Sequence, residues 1–166
     1  MQDMRESFHG NQKTSDDGPL QLLSFTSGGM EFGVDILRVQ EIHEMVGFTR
    51  LPHAPAYVEG VTTLLGFVIP VIDLRLRLGM QKKPYDKESR IIVVESGSAL
   101  AGFIVDAVKE VLKMDASVTG PPVPGVVRIG TEFVSAVGKV DSRLIAVLDL
   151  EKVLAPDGTW SLGPEA

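Results

Sequence analysis

Cysteine is absent from the 166 residues, which excludes disulfides and thiolate metal sites and suits a reducing compartment. No apolar run approaches the roughly 20 residues of a membrane-spanning helix. The opening stretch, MQDMRESFHGNQKTSDDGPL, holds no apolar segment of the kind a secretory signal carries. Positive charge is in the minority, with 16 Lys and Arg against 22 Asp and Glu and a formal net charge of −6. Aromatic residues make up only 6%. The chain therefore lacks the basic, aromatic-studded face of a nucleic-acid binder. His9, His43 and His53 have no cysteine partners and no H-x-x-x-H spacing, so no zinc centre is expected. Phosphate-cradling and nucleophile-elbow motifs are missing as well. No spacing assembles a nucleophile, a base and an oxyanion donor. The expectation is a protein with no catalysis and no cofactor, whose work is to bind other proteins.

Apolar residues are plentiful at 44%, enough for one domain or two small ones. The stretch Gly60 to Gly79, GVTTLLGFVIPVIDLRLRLG, organises the chain. Its β-branched run Val68, Ile69, Val71 and Ile72 reads as a strand buried on both faces. Pro70 lacks an amide donor and places that strand at a sheet edge or beside a bulge. Asp73 suits a helix N-cap, and Gly79 suits the stop. Upstream, residues 1–19 read as a disordered tail. Gly28-Gly29 joins two strands as a hairpin. Ile36, Val39 and Ile42 fit a helix or a helical turn followed by a strand. Ala56 to Gly60 reads as one turn of helix after Pro55. Downstream, 81–89 is a charged surface connection, in which Lys82-Lys83 reads as a solvated pair. Strands follow at Arg90 to Glu95, Ala101 to Asp106 and Val108 to Met114. Thr119 to Gly130, rich in Pro and Gly, reads as an irregular loop. A last hairpin turns at Asp141-Ser142, and a short helix ends before Pro156. Residues 156–166, with Trp160, read as a loose tail. Asp73, Asp106 and Asp149 stand at strand ends, where capping explains them better than acid–base work.

The two halves echo each other. Gly33, Val34, Ile36, Val39, Glu41 and Ile42 match Gly102, Phe103, Val105, Val108, Glu110 and Val111 at an offset of 69. Ile69-Pro70-Val71-Ile72-Asp73-Leu74 matches Ile145-Ala146-Val147-Leu148-Asp149-Leu150 at an offset of 76. Two matches in the same order indicate a duplicated β unit, each copy a small closed barrel of about five strands.

Phe32-Gly33-Val34-Asp35-Ile36-Leu37-Arg38-Val39-Gln40-Glu41-Ile42, then Gly60-Val61, then Val68 to Arg75, then Gly102 to Asp106, closely resemble the CheW family of chemotaxis adaptors. The likeness spans roughly Leu20 to Leu154. It implies a mainly β fold of two SH3-like five-stranded barrels with short connecting helices and a short C-terminal helix. The CheW-like domain would run over 20–155, with a subdomain boundary near 81–89 and final elements crossing between the barrels. It implies a non-catalytic cytoplasmic scaffold. Its partners would be the hairpin tip of methyl-accepting chemoreceptors and the regulatory domain of a CheA-type histidine kinase. A non-chemotactic kinase pathway such as surface motility is the alternative. On the receptor side the resemblance points to Ile36, Val39, Glu41, Ile42 and Leu65, with Val105 and Val108 from the second barrel. Val39 is the member expected to stay exposed. Thr49, Gly60 and Gly66 belong to the expected kinase side. The family's Asn-Leu-Arg-Gly loop here reads Thr63-Leu64-Leu65-Gly66. Leu65 thus stands where the family places an arginine near the glutamate matched by Glu41.

Overall fold

The computed structural model describes residues 20–115, 119–120 and 131–155. In chain order these form β1 (Leu20–Ser27), β2 (Met30–Asp35), a 3-10 turn (Ile36–Arg38), β3 (Val39–Glu44), β4 (Val58–Leu64), β5 (Phe67–Asp73) and helix α1 (Leu74–Arg77). Then come β6 (Arg90–Ser96), β7 (Ala99–Val105), β8 (Ala107–Met114), β9 (Thr119–Gly120), a second 3-10 turn (Thr131–Phe133), β10 (Val134–Val140), β11 (Arg143–Leu148) and helix α2 (Leu150–Leu154). The expected tails 1–19 and 156–166, with Trp160, lie outside the described residues, as does 121–130.

The strands build two sheets, ordered β8-β1-β2-β11-β10-β9 and β3-β6-β7-β5-β4. Apart from the two-residue β9, each has five strands. The duplication is real. Gly33 lies between Ser24 of β1, antiparallel, and Val147 of β11, parallel. Gly102 lies between Val93 of β6, antiparallel, and Val71 of β5, parallel. Each of these residues maps onto its counterpart at the offsets read from the sequence. The copies do not fold as separate barrels, however. β1 and β2 pair with strands of the second repeat, and β6 and β7 pair with strands of the first. Residues 81–89 link β5 to β6, and each sheet draws strands from both sides of that link.

The exchange follows from where the apolar residues go. Along β6, Ile91 and Val93 enter a core within their own sheet, with Leu64, Ile69, Val71 and Ile104. Ile92 and Val94 point the other way, into a larger core shared by both sheets, with Phe25, Phe32, Ile72, Phe103 and Leu148. On β11, Ile145 and Val147 enter a third core, and Ala146 and Leu148 the shared one. With apolar surroundings on both faces, such strands need no polar alternation, and a run such as Ile91 to Val94 results.

Several local expectations hold. Gly28 and Gly29 make the β1–β2 turn. Asp73 and Asp149 cap the two helices through the amides of Leu76 and Lys152. The segment 36–44 is a 3-10 turn followed by a strand. Others need correction. Residues 56–57 form only a turn, and Val58 already begins β4, so Ala56 to Gly60 is not helical. Its extended backbone is held by pairing of Val58 with Ile72 and of Gly60 with Val71. β5 is not an edge strand, since it lies between β7 and β4, but the alternative expectation for Pro70 holds: the β4–β5 register shifts between Val58 and Gly60, next to its partner Val61. Pro70 is tolerated because pairing with β7 begins only at Val71, which leaves no neighbour on that side to receive a donor. The first residues of β5, Phe67 and Val68, are exposed rather than buried on both faces. Thr119–Gly120 pairs with β10 instead of lying in the loop. Asp106 caps no helix. It accepts from Arg75 and from the Gly28 amide.

Candidate functional site

β3 and β8 are the outermost strands of their sheets and occupy matching places in the repeat. Both carry a bulge near their start. On β3 the register shifts between Val39 and Glu41, so that Val39 faces Val94 and Ile42 faces Ile92. On β8, Val108 faces Phe25 and Val111 faces Leu23. All four partners belong to the shared core. Opposed residues of an antiparallel pair share a face. The bulge therefore puts Val39 and Ile42 on one face at a spacing of three, which an unbroken strand forbids. The helix-like period of Ile36, Val39 and Ile42 is a 3-10 turn plus a bulged strand.

Ile36, Val39 and Val108 are half-buried and pack against the shared core. Ile42 is 41% exposed and Val111 is 49% exposed. They are counterparts 69 residues apart. Val39 is thus not the exposed member of its set; Ile42 is. Val105 must be withdrawn as a surface residue. It is 1% exposed, at the end of β7 within the shared core. Val111 was missed, although the offset of 69 from Ile42 carried the signal.

Glu41 and His43 lie on the opposite face of β3. His43 Nδ1 sits 2.8 Å from the Glu44 carbonyl oxygen, which can only accept, so Nδ1 carries the proton. Nε2 then faces the Glu41 carboxylate at 3.9 Å.

The residues expected on the kinase side gather around β4, at the other end of that sheet's order. Thr49 and Val61 exchange backbone hydrogen bonds at 2.9 and 2.8 Å. Gly60 takes φ 148°, and a Cβ there would lie 2.4 Å from the Thr49 carbonyl oxygen, so only glycine fits. Leu65 and Gly66 form the β4–β5 turn with φ 56° and 80°. Leu65, Phe67 and Val68 make an exposed apolar tip. Leu65 thus stands exposed in the β4–β5 turn, next to Gly66.

The connection after α1 is anchored rather than freely solvated. Lys82 donates to Glu59 at 3.0 Å and Asp73 at 3.1 Å, and the Tyr85 hydroxyl, with one proton to donate, lies 2.7 Å from an oxygen of each of the same two carboxylates. Burial and the neighbouring carboxylates push the Tyr85 hydroxyl well above its ordinary range. Burial opposes charge on Glu59, but the bonds from Tyr85 and Lys82 outweigh it and hold the carboxyl low. Among the described residues no group of three or more His, Cys, Asp or Glu stands ready to hold a metal ion.

The CheW-like domain model matches residues 21–157. The chain belongs to the CheW-like domain family. It is 36% identical over 137 residues to a chemotaxis protein CheW of Klebsiella aerogenes, covering 82% of each chain. It is 32% identical over 153 residues to a chemotaxis protein CheW of Helicobacter pylori, covering 92% of each. The crystal structure of the scaffolding protein TtCheW from Thermoanaerobacter tengcongensis superposes with a TM-score of 0.79 at 38% identity, over 87% of this chain and 99% of that one. The two sheets of this CheW-like domain are accordingly the paired SH3-like subdomains of that fold, and its role is that of an adaptor in chemotaxis. Such a role suits a molecule whose distinctive features are apolar edges and a hairpin tip. No helix among the described residues is long and apolar enough to cross a membrane.

Proposed function

We propose that this CheW-like domain couples the cytoplasmic hairpin tip of methyl-accepting chemoreceptors to the regulatory domain of a CheA-type histidine kinase. It does no chemistry itself, works in the cytoplasm and joins receptor arrays through its partners. The receptor side is the apolar border of the shared core: Ile36, Val39 and Ile42 of the first repeat and Val108 and Val111 of the second, with Glu41 and the exposed Leu65 completing it. The kinase side is β4 with Thr49, Gly60 and Gly66. The observation that carries this reading is the pair Ile42 and Val111, two large apolar residues left exposed at matching places on two edge strands. Apolar side chains beside a core suit the apolar face of a helix. Titration calorimetry with a purified receptor hairpin and, separately, a kinase regulatory domain tests it. Saturable binding of both at once is expected. Competition between them, or binding of neither, would sink the coupling role.

A further inference from the structure

Two ion pairs stand at similar places in the two repeats with their charges exchanged, Arg38 and Asp106 being one position out of step at the offset of 69. Arg38, in the 3-10 turn that leads into β3, donates to the Glu95 carbonyl at 2.8 and 3.3 Å and meets Glu151 of α2 at 3.0 Å. Asp106, in the link that leads into β8, accepts from Arg75 of α1 at 2.7 to 3.2 Å and from the Gly28 amide at 3.0 Å. Arg75 and Glu151 are counterparts at the offset of 76. Each pair ties the segment leading into an edge strand of one sheet to a short helix that follows a strand of the other, α2 after β11 and α1 after β5. The exchange of sign also keeps them apart: Arg75 repels Arg38, and Glu151 repels Asp106, so neither helix accepts the other's anchor.

The two ties are unequal. Arg75 and Asp106 are 19% and 22% exposed and bond through two guanidinium nitrogens. Burial works against the Asp106 charge, but Arg75 and the Gly28 amide outweigh it and hold the carboxyl below its usual range. Met80, just past α1, fills the space where a Cβ on Gly28 would sit and seals that side. Arg38 and Glu151 are 30% and 67% exposed; two guanidinium nitrogens reach the carboxylate here too, at 3.0 and 3.5 Å, but the pair is far more open to water.

We propose that the Arg38–Glu151 pair is a latch that positions the β3 edge relative to the β8 edge, with the less exposed Arg75–Asp106 pair as the firmer of the two ties. The consequence for receptor affinity rests on the proposed docking role of those edges; the positioning itself does not. The absence of cysteine makes the test direct. Gln40 and Lys109 are exposed counterparts on β3 and β8. Spin labels on Gln40→Cys and Lys109→Cys report the distance between the two edges. A single narrow distance distribution is expected. Adding Glu151→Gln should broaden it, and about 1 M salt should broaden the parent to match while leaving Glu151→Gln unchanged. Without labels, Glu151→Gln should bind a receptor hairpin roughly threefold more weakly with an unchanged melting temperature. An unchanged distance distribution in Glu151→Gln overturns the latch. So does weaker binding with no change in distance, because Glu151 would then touch the partner itself. A wild-type chain that binds no hairpin overturns the coupling role alone, since the distances still decide on the latch.

Discussion

A charge introduced at Ile42 meets water in the free protein and a dry contact in the proposed complex, whereas a charge at Val105 meets the shared core in either state. Ile42→Asp should leave the melting temperature within a few degrees of wild type. It should weaken receptor-hairpin binding about 30-fold, the ~2 kcal/mol typical of an interface anchor. Val105→Asp should not fold. Val39→Asp is expected to lose stability and binding together, because Val39 packs on the core while lying beside Ile42. Calorimetry alongside thermal melts separates the three; wild-type affinity in a folded Ile42→Asp would remove β3 from the receptor side. Leu65 offers the opposite case. Its φ of 56° is a left-handed conformation that costs a branched side chain about 1–2 kcal/mol. Asn-Gly is the favoured pair for such a hairpin turn. Leu65→Asn should therefore raise stability by about 0.5–1 kcal/mol, read as a higher denaturant midpoint at unchanged slope. A lower midpoint would mean that the Leu65 side chain packs more than its exposure indicates.

At the scale of elements, short pieces act as junctions. Helix α1 has only four residues, yet Leu74 enters the shared core, Arg75 holds Asp106, and Arg77 donates to the Lys152, Val153 and Ala155 carbonyls. Arg77 also lies over the rings of Tyr57 and Phe133, at 4.4 and 4.8 Å. The Arg75–Asp106 junction should depend on acid in one direction. Burial raises the Asp106 pKa, but the bonds from Arg75 and Gly28 lower it more, to below the ordinary 3.8. A carboxyl depressed on folding adds stability that is fully present above its unfolded pKa and is lost as pH falls through the folded one. Wild type should thus lose stability progressively below about pH 4, and Asp106→Asn should lose less over that range while being weaker at neutral pH. Chemical denaturation at several pH values measures both slopes. Parallel curves for the two proteins would show that Asp106 contributes nothing ionic.

For the whole molecule, the strand exchange predicts a single cooperative unit. Both repeats contribute to each sheet and to the shared core. Residues 20–83 alone should be unfolded by circular dichroism, as should 86–155 alone, and co-expression should restore one complex with one melting transition. A folded isolated half would contradict the exchange. Residues 1–19 are polar and aperiodic, with too little apolar surface to offset the entropy of ordering. Removing them should leave the melting temperature and both partner affinities unchanged; a marked drop in either would give them a place in the fold or the site.

The sequence by itself determined the strands, the caps at Asp73 and Asp149, the hairpin turns and the duplication. Each of these rests on local rules: β-branched runs, a carboxylate next to a free amide, paired glycines, a constant offset. It also carried the family, through motifs in order. Only the tertiary structure decided which strands share a sheet, because pairing depends on distant partners, from Val71 with Gly102 to Gly33 with Val147, whose apolar patterns are interchangeable in the two repeats. The same holds for the site. Val39, Ile42, Val105 and Val111 are alike as β-branched apolar residues. A bulge sets the face that Val39 and Ile42 share, and which residues other elements cover sets which stay in water. Neither is written in the residue itself.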